Sequence, residues 1–287
     1  MDRKAIARET LDIMEKGYYE AGGKKIEIMA LQEYSLRKSF LLTPEQGREL
    51  LKDCSFLSGS AVSGQTISGR AASGHSASRT FEVWNCSTVD AILDLTSEGK
   101  KDIAVLNFAS AKNPGGGFIN GAMAQEESLA ASSSLYKTLI AHEEYYTKNR
   151  ACGTMMYTHH AIYSPEVPFF RDGRFRLLSK PVTASVLTLP AVNMGQVRLR
   201  GESVSQAEQV MRERMQLALA IFASQNCRHL ILGAYGCGVF RNDPKQIAQW
   251  WKELLTEDFP ESFETVVFAV LDRSATLSTI KPFQELF

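Results

Sequence analysis

The 287-residue chain predicts an α/β protein: a largely parallel or mixed sheet flanked by helices, preceded by a mainly helical N-terminal extension. Three observations predict it. Short apolar or β-rich runs alternate with stretches of helical periodicity from Phe81 onward, the pattern of strands joined by crossover helices. One of those runs, Ile103–Phe108 (IAVLNF), is continuously apolar until its end, as expected of a central strand buried on both faces. Two glycine-rich segments each follow such a run and precede a helix start, where ligands bind in open α/β sheets, beyond the carboxyl ends of strands.

In chain order, Ile6, Leu11, Ile13 and Met14 lie at roughly helical spacing, and Lys24–Ala30 reads as a short strand. Thr43-Pro44-Glu45-Gln46 is a helix start: threonine caps, proline suits the first helical position, and Gln46 closes a capping box. Residues 55–78 are rich in serine, glycine and alanine and offer little to bury, so a passive exposed loop is expected within an N-terminal unit of residues 1–80. The second unit, residues 81–287, begins with a strand at Phe81–Asn85 and a helix capped by Ser87 or Thr88 that runs to Thr96. After the central strand comes a glycine turn and a helix over Glu126–Tyr145. Ala184–Leu189 is a strand, Gln206–Ser224 a long amphipathic helix, and His229–Leu232 a short buried strand. Asp243-Pro244 opens a helix ending near Leu255, and Thr265–Val270 closes the sheet.

Composition narrows the function. Thirty-two basic residues balance thirty-two acidic ones, so no global field gathers nucleic acid or an anionic membrane. An anionic ligand must then be held by local dipoles and a few placed side chains. The five cysteines, Cys54, Cys86, Cys152, Cys227 and Cys237, form no C-x-x-C pair, and the adjacent His159 and His160 have no ligand spacing around them. Neither a metal site nor a disulfide framework is expected. No signal peptide or membrane-length apolar run is evident, and a monomeric protein in the reducing cytoplasm is the expected state.

Two segments carry chemistry. In the first, Asn107-Phe108-Ala109-Ser110-Ala111-Lys112-Asn113-Pro114-Gly115-Gly116-Gly117-Phe118 is followed after Ile119–Ala124 by Gln125-Glu126-Glu127. Consecutive glycines permit positive φ and close ligand approach, and their N–H groups can converge on an anion. The two glutamates fall at a helix start, where acidic residues also serve the macrodipole without any catalytic role. The second segment, Gly233-Ala234-Tyr235-Gly236-Cys237-Gly238-Val239-Phe240-Arg241-Asn242-Asp243-Pro244, lacks the Gly-Lys-Ser/Thr ending of a triphosphate P-loop and the third glycine of a dinucleotide turn. A backbone cradle for a diphosphate remains. Phe240 offers an apolar face to a sugar or base, or else packs in the core.

The combination GGGFINGAMAQEE resembles the Gly-Gly-Gly…Gln-Glu-Glu motif of poly(ADP-ribose) glycohydrolases. Its flanks, NFASAKNPGGGF and SLAASSSLY, are similar to the microbial-type branch, as are GAYGCGVFRNDP, AIYSPEVPFFRD, TLPAVNMG and VVFAVLD. The resemblance covers most of Phe81–Asp272 and implies a macrodomain-like catalytic domain that cleaves ribose–ribose O-glycosidic bonds without a cofactor. It puts Glu127 in the place of the catalytic glutamate and Glu126 in that of the neighbour that orients ribose hydroxyls. Gly115, Gly116 and Gly117, with Gly236, Cys237, Gly238, Val239 and Phe240, would hold diphosphate and distal ribose. Asn113 would contact ribose, and Phe118 and Gln125 complete the implied substrate-binding set. Poly(ADP-ribose) or ADP-ribosylated protein is the implied substrate. A macrodomain that binds ADP-ribose without turnover, or a glycohydrolase acting on mono-ADP-ribosylated protein or nucleic acid, fits the same cradle.

Overall fold

The computed structural model describes residues 2–54 and 79–287; the serine- and glycine-rich stretch at 55–78 lies outside the described residues. Helix α1 (Arg3–Lys16) leads into a hairpin, β1 (Tyr18–Ala21) and β2 (Lys24–Glu27), then α2 (Met29–Lys38), β3 (Phe40–Leu42) and α3 (Pro44–Cys54). There follow β4 (Thr80–Trp84), α4 (Thr88–Ser97), β5 (Ile103–Phe108), α5 (Gln125–Ser132), α6 (Leu135–Ala141) and α7 (Glu143–Ala151). The chain continues through β6 (Ala161–Arg171), β7 (Leu177–Leu189), α8 (Met194–Leu199), α9 (Val204–Ser224) and β8 (His229–Leu232). It finishes with α10 (Pro244–Glu253), β9 (Thr265–Ala269) and α11 (Lys281–Leu286).

Seven strands form one mixed sheet in the order β3-β6-β7-β5-β8-β9-β4. The five strands from β7 to β4 are parallel, whereas β3–β6 and β6–β7 are antiparallel. Side chains alternate across β5. Ala104 and Leu106 join the core beneath α9 and α10, while Ile103 and Val105 join the core beneath α4 and α6. Burial on both faces is why this strand reads as an unbroken apolar run. Parallel pairing sets the carboxyl ends of β5, β8, β9 and β4 along one edge. No helix of the described residues is long and apolar enough to cross a membrane.

Several local readings hold in atomic detail. Thr43 N–H donates to Gln46 Oε1 (2.9 Å) and Gln46 N–H to Thr43 Oγ1 (3.4 Å), a reciprocal capping box. Ser87 is the cap of α4, its Oγ accepting from Asp90 N–H. Others change. The strand expected over Lys24–Ala30 ends at Glu27, and its partner is β1, joined through Gly22 and Gly23, both at positive φ (56° and 73°), as a two-residue type I′ turn requires. The helix expected over Glu126–Tyr145 is three helices. At its first break Ser134 N–H donates to Pro168 O (3.1 Å), Ser133 bridges Phe169, and Ser133 Oγ caps Leu129 O; pairing with the sheet wins over helix continuation. Strand β6 was not anticipated, because Pro165 and Pro168 argue against a strand interior. The register shifts between Ser164 and Val167, and this irregularity accommodates Pro165.

The N-terminal segment is woven into the rest. Ala7 packs with Phe118 and Ala130, Thr10 Oγ1 donates to Ala131 O (2.7 Å), and Arg171 donates to Glu9 Oε2 (2.6 Å). Helix α1 thus bears on the chain that carries the paired glutamates.

Candidate active site

Strand β5 delivers the chain to the glycine turn, and α5 brings the two glutamates back to it. Gln125, the first residue of α5, sets the angle: its Oε1 accepts from Phe108 N–H (2.9 Å), and its Nε2 donates to Leu106 O (2.8 Å) and Thr88 Oγ1 (3.3 Å). The helix start is thereby fastened to the end of the central strand.

Glu126 turns inward and is 3% exposed. Its Oε2 accepts from Ser110 N–H (2.6 Å) and its Oε1 from Asn107 Nδ2 (3.3 Å), which also donates to Thr188 Oγ1. Burial, with a smaller push from Glu127, outweighs these donors and raises its pKa to about 8. Asn107 Oδ1 is itself buried without a partner among the described residues, and a half-turn of the amide would offer it to the proton of a neutral Glu126.

A stability prediction arises directly. Glu126 binds more protons folded than unfolded, so its contribution is complete below the ordinary carboxylate range and is lost as pH rises through about 8. Wild-type protein is expected to lose a few degrees of Tm relative to Glu126→Gln between pH 5 and pH 9, on the order of 2–4 °C per kcal/mol for a chain of this size. Thermal melts across that range check it; parallel curves would refute the assignment.

Glu127 points the other way. Its Oε1 accepts from Gly117 N–H and its Oε2 from Ala124 N–H, both at 2.9 Å. Ala124 has no side-chain oxygen to reciprocate, so the carboxylate alone caps this helix start. Gly115 and Gly116 have φ of 64° and 59°. A Cβ on Gly116 would strike Glu127 Oε1 and come within 3.2 Å of Glu126 Oε2. The turn is glycine because both carboxylates occupy the space a side chain would need.

Asn113 is exposed, with its carbonyl accepting from Gly116 N–H (3.0 Å). The Phe118 ring is buried against Tyr136, centroids 5.0 Å apart, and under α1, so that ring is committed to packing. The second loop follows β8. Gly236, at φ 71°, is packed so closely that a Cβ would lie 2.6 Å from both Ala191 Cβ and Asn242 Nδ2. Asn242 Nδ2 donates to Val192 O (2.8 Å) and Gly236 O (3.0 Å), and Tyr235 OH to Leu189 O (2.9 Å). On this base stand Gly238, Val239 and Phe240, whose N–H groups have no acceptor among the described residues. Cys237 sits half-buried beside them, its thiol pushed well up by burial, which leaves it a poor nucleophile. Phe240 is half-buried near Tyr157, ring centroids 6.1 Å apart, between the two roles the sequence left open.

Between the start of α5 and the second loop opens a cleft of about 740 Å³, lined by Phe108, Gln125 and Ser128 and by Ala234, Cys237 and Gly238, whereas Gly115, Gly116, Gly117, Glu126 and Glu127 stand outside its lining. Thr88 and Ala269 form part of its floor. Asn107, Ser110 and Asn242 lie within the two segments the sequence singles out, but the sequence assigns them no role; a polar residue near the end of an apolar strand is the only signal for Asn107.

The family model for the microbial-type PARG catalytic domain matches residues 7–172. The chain belongs to the microbial-type poly(ADP-ribose) glycohydrolase family. Solved structures of the family agree over nearly the whole chain. The Thermomonospora curvata poly(ADP-ribose) glycohydrolase is 38% identical, with 99% of each chain covered and a TM-score of 0.88. The same enzyme bound to the inhibitor ADP-HPD gives 37% identity, 99% coverage of each chain and 0.87. The Deinococcus radiodurans poly(ADP-ribose) glycohydrolase in complex with ADP-ribose is 40% identical, covering 88% of this chain and 96% of its own, at 0.78. A search of curated protein sequences gave no match. The mixed sheet flanked by helices is therefore the macrodomain-like fold of these glycohydrolases.

Proposed function

We propose that this protein hydrolyses the ribose–ribose O-glycosidic bonds of poly(ADP-ribose), releasing ADP-ribose, with Glu127 as the group that moves the proton. One observation carries the reading: a carboxylate gripped by Gly117 N–H and Ala124 N–H and set against Gly116, at the mouth of a turn built for close approach. Family membership supports it, as does the binding of ADP-ribose and ADP-HPD by the two relatives.

The chemistry fits these residue types. Glycosidic cleavage passes through an oxocarbenium-like transition state, and the departing ribose hydroxyl is a poor leaving group until it receives a proton. Glu127 gives that proton as the bond breaks, then takes one from the incoming water. Glu126, fixed by Ser110 N–H and Asn107, orients the ribose hydroxyls. The free N–H groups of Gly238, Val239 and Phe240 hold diphosphate, as a run of oriented backbone amides can. A diphosphate bound there stabilises the positive sugar, so a second carboxylate is not needed as nucleophile.

Incubation with poly(ADP-ribose) of defined length, followed by chromatography of the products, tests this. Free ADP-ribose is the expected product. Unchanged chain lengths together with tight ADP-ribose binding would make the protein a binding module instead. Release of ADP-ribose only from singly modified protein or nucleic acid would move the substrate to that class.

A further inference from the structure

Three arginines rim the cleft from three separate elements: Arg3 in the first turn of α1, Arg174 in the turn between β6 and β7, and Arg273 after β9. All three are exposed. Among the described residues none of their guanidinium groups has an ion-pair or hydrogen-bond partner, and no carboxylate lines the cleft.

The nearby acids are engaged elsewhere. Asp2 caps α1, accepting from Lys4 N–H (3.0 Å) and Ala5 N–H (3.2 Å). Asp172 accepts from Arg174 N–H (2.9 Å) and from the Arg176 guanidinium (2.7 Å). Asp272 accepts from the N–H groups of Ser274 (2.9 Å) and Thr279 (2.8 Å), and Asp90 from Gly173 N–H (3.1 Å). A chain of zero net formal charge thus carries a concentrated cationic rim at one opening. Such a local field attracts anions even where the whole molecule does not. Guanidinium groups suit phosphate in particular, because their forked donors match its oxygens.

We propose that these arginines, exposed at the opening of the cleft, take the diphosphate of a second ADP-ribose unit of the polymer, so that chains bind more tightly than a single unit. The inference rests on the proposed substrate. Each unit of the polymer carries one diphosphate. The backbone cradle holds one of them, and the neighbouring one must then run past the cleft mouth. Contacts there add affinity for the chain while leaving the reacting sugar untouched.

The test uses Glu127→Gln protein, so that ligand is not consumed, with and without Arg3→Gln and Arg174→Gln together. Fluorescence anisotropy measures the Kd of a labelled poly(ADP-ribose) oligomer, and calorimetry that of ADP-ribose, over a range of salt. Oligomer affinity is expected to fall about tenfold at low salt, and the slope of log K against log salt to become shallower by about 1. ADP-ribose affinity should be unchanged, which also reports that the variant is folded. Equal losses for both ligands would place these arginines in the single-unit site and overturn the proposal; undiminished oligomer affinity would overturn it too. Wild-type turnover of the polymer is measured separately. An inactive wild type whose rim variant still lost only oligomer affinity would sink the hydrolase reading and leave this one standing.

Discussion

Replacing Glu127 with Gln is expected to lower turnover of poly(ADP-ribose) by roughly 100- to 10,000-fold, the usual worth of a general acid–base group, while ADP-ribose binding is little changed. The substitution keeps the shape but removes the exchangeable proton. It also disturbs the helix start. Both Glu127 oxygens now accept backbone N–H groups, from Gly117 and Ala124, and an amide can accept only one of them while its NH2 faces the other. The lost bond costs about 1 kcal/mol, so Tm should fall by roughly 2–4 °C. A product assay beside calorimetry with ADP-ribose separates these effects. Normal turnover by this variant would remove Glu127 from the reaction, and loss of binding in proportion to loss of rate would make it a binding residue.

The parts of this site legible in the sequence are those that are local. Gly115–Gly117 and Glu126–Glu127 lie on one short stretch, and a strand before it and a helix after it leave the turn little choice of position. The opposite orientations of the two glutamates are not legible from periodicity. Successive residues on a helix point about 100° apart, so one carboxylate had to be more buried than the other, but only the packing of α5 on β5 decides which. Asn107 has no role assigned from the sequence because it stands within a run of apolar residues, between Leu106 and Phe108. The cleft floor, where Thr88 meets Ala269 and Phe108, is assembled by the strand order β5-β8-β9-β4, which no local pattern encodes. Strand β6 and the serine break between α5 and α6 hid for one reason: Pro165, Pro168, Ser133 and Ser134 have weak or contrary propensities, and tertiary pairing overrides them.

Gly116→Ala should be the most damaging change that touches no ionisable group. Two costs arise. At φ 59° an alanine pays left-handed backbone strain of about 1–2 kcal/mol. Its Cβ also collides with Glu127 Oε1 and would lie 2.9 Å from Glu127 Cδ and 3.2 Å from Glu126 Oε2, so the carboxylates themselves must move. A displacement on the order of 1 Å at a reacting group can cost about 100-fold in rate, and a loss of at least that size is expected. Gly22→Ala separates the two costs. Gly22 has φ 56° and nothing within 4 Å of an added Cβ, so it carries the strain without the collision, in a hairpin turn. Melting temperatures should fall in both variants, and further in Gly116→Ala, which bears the collision as well as the strain, while only Gly116→Ala loses turnover. Should Gly116→Ala keep its rate despite the lower melting temperature, the reacting sugar could not depend on where the Glu127 carboxylate rests.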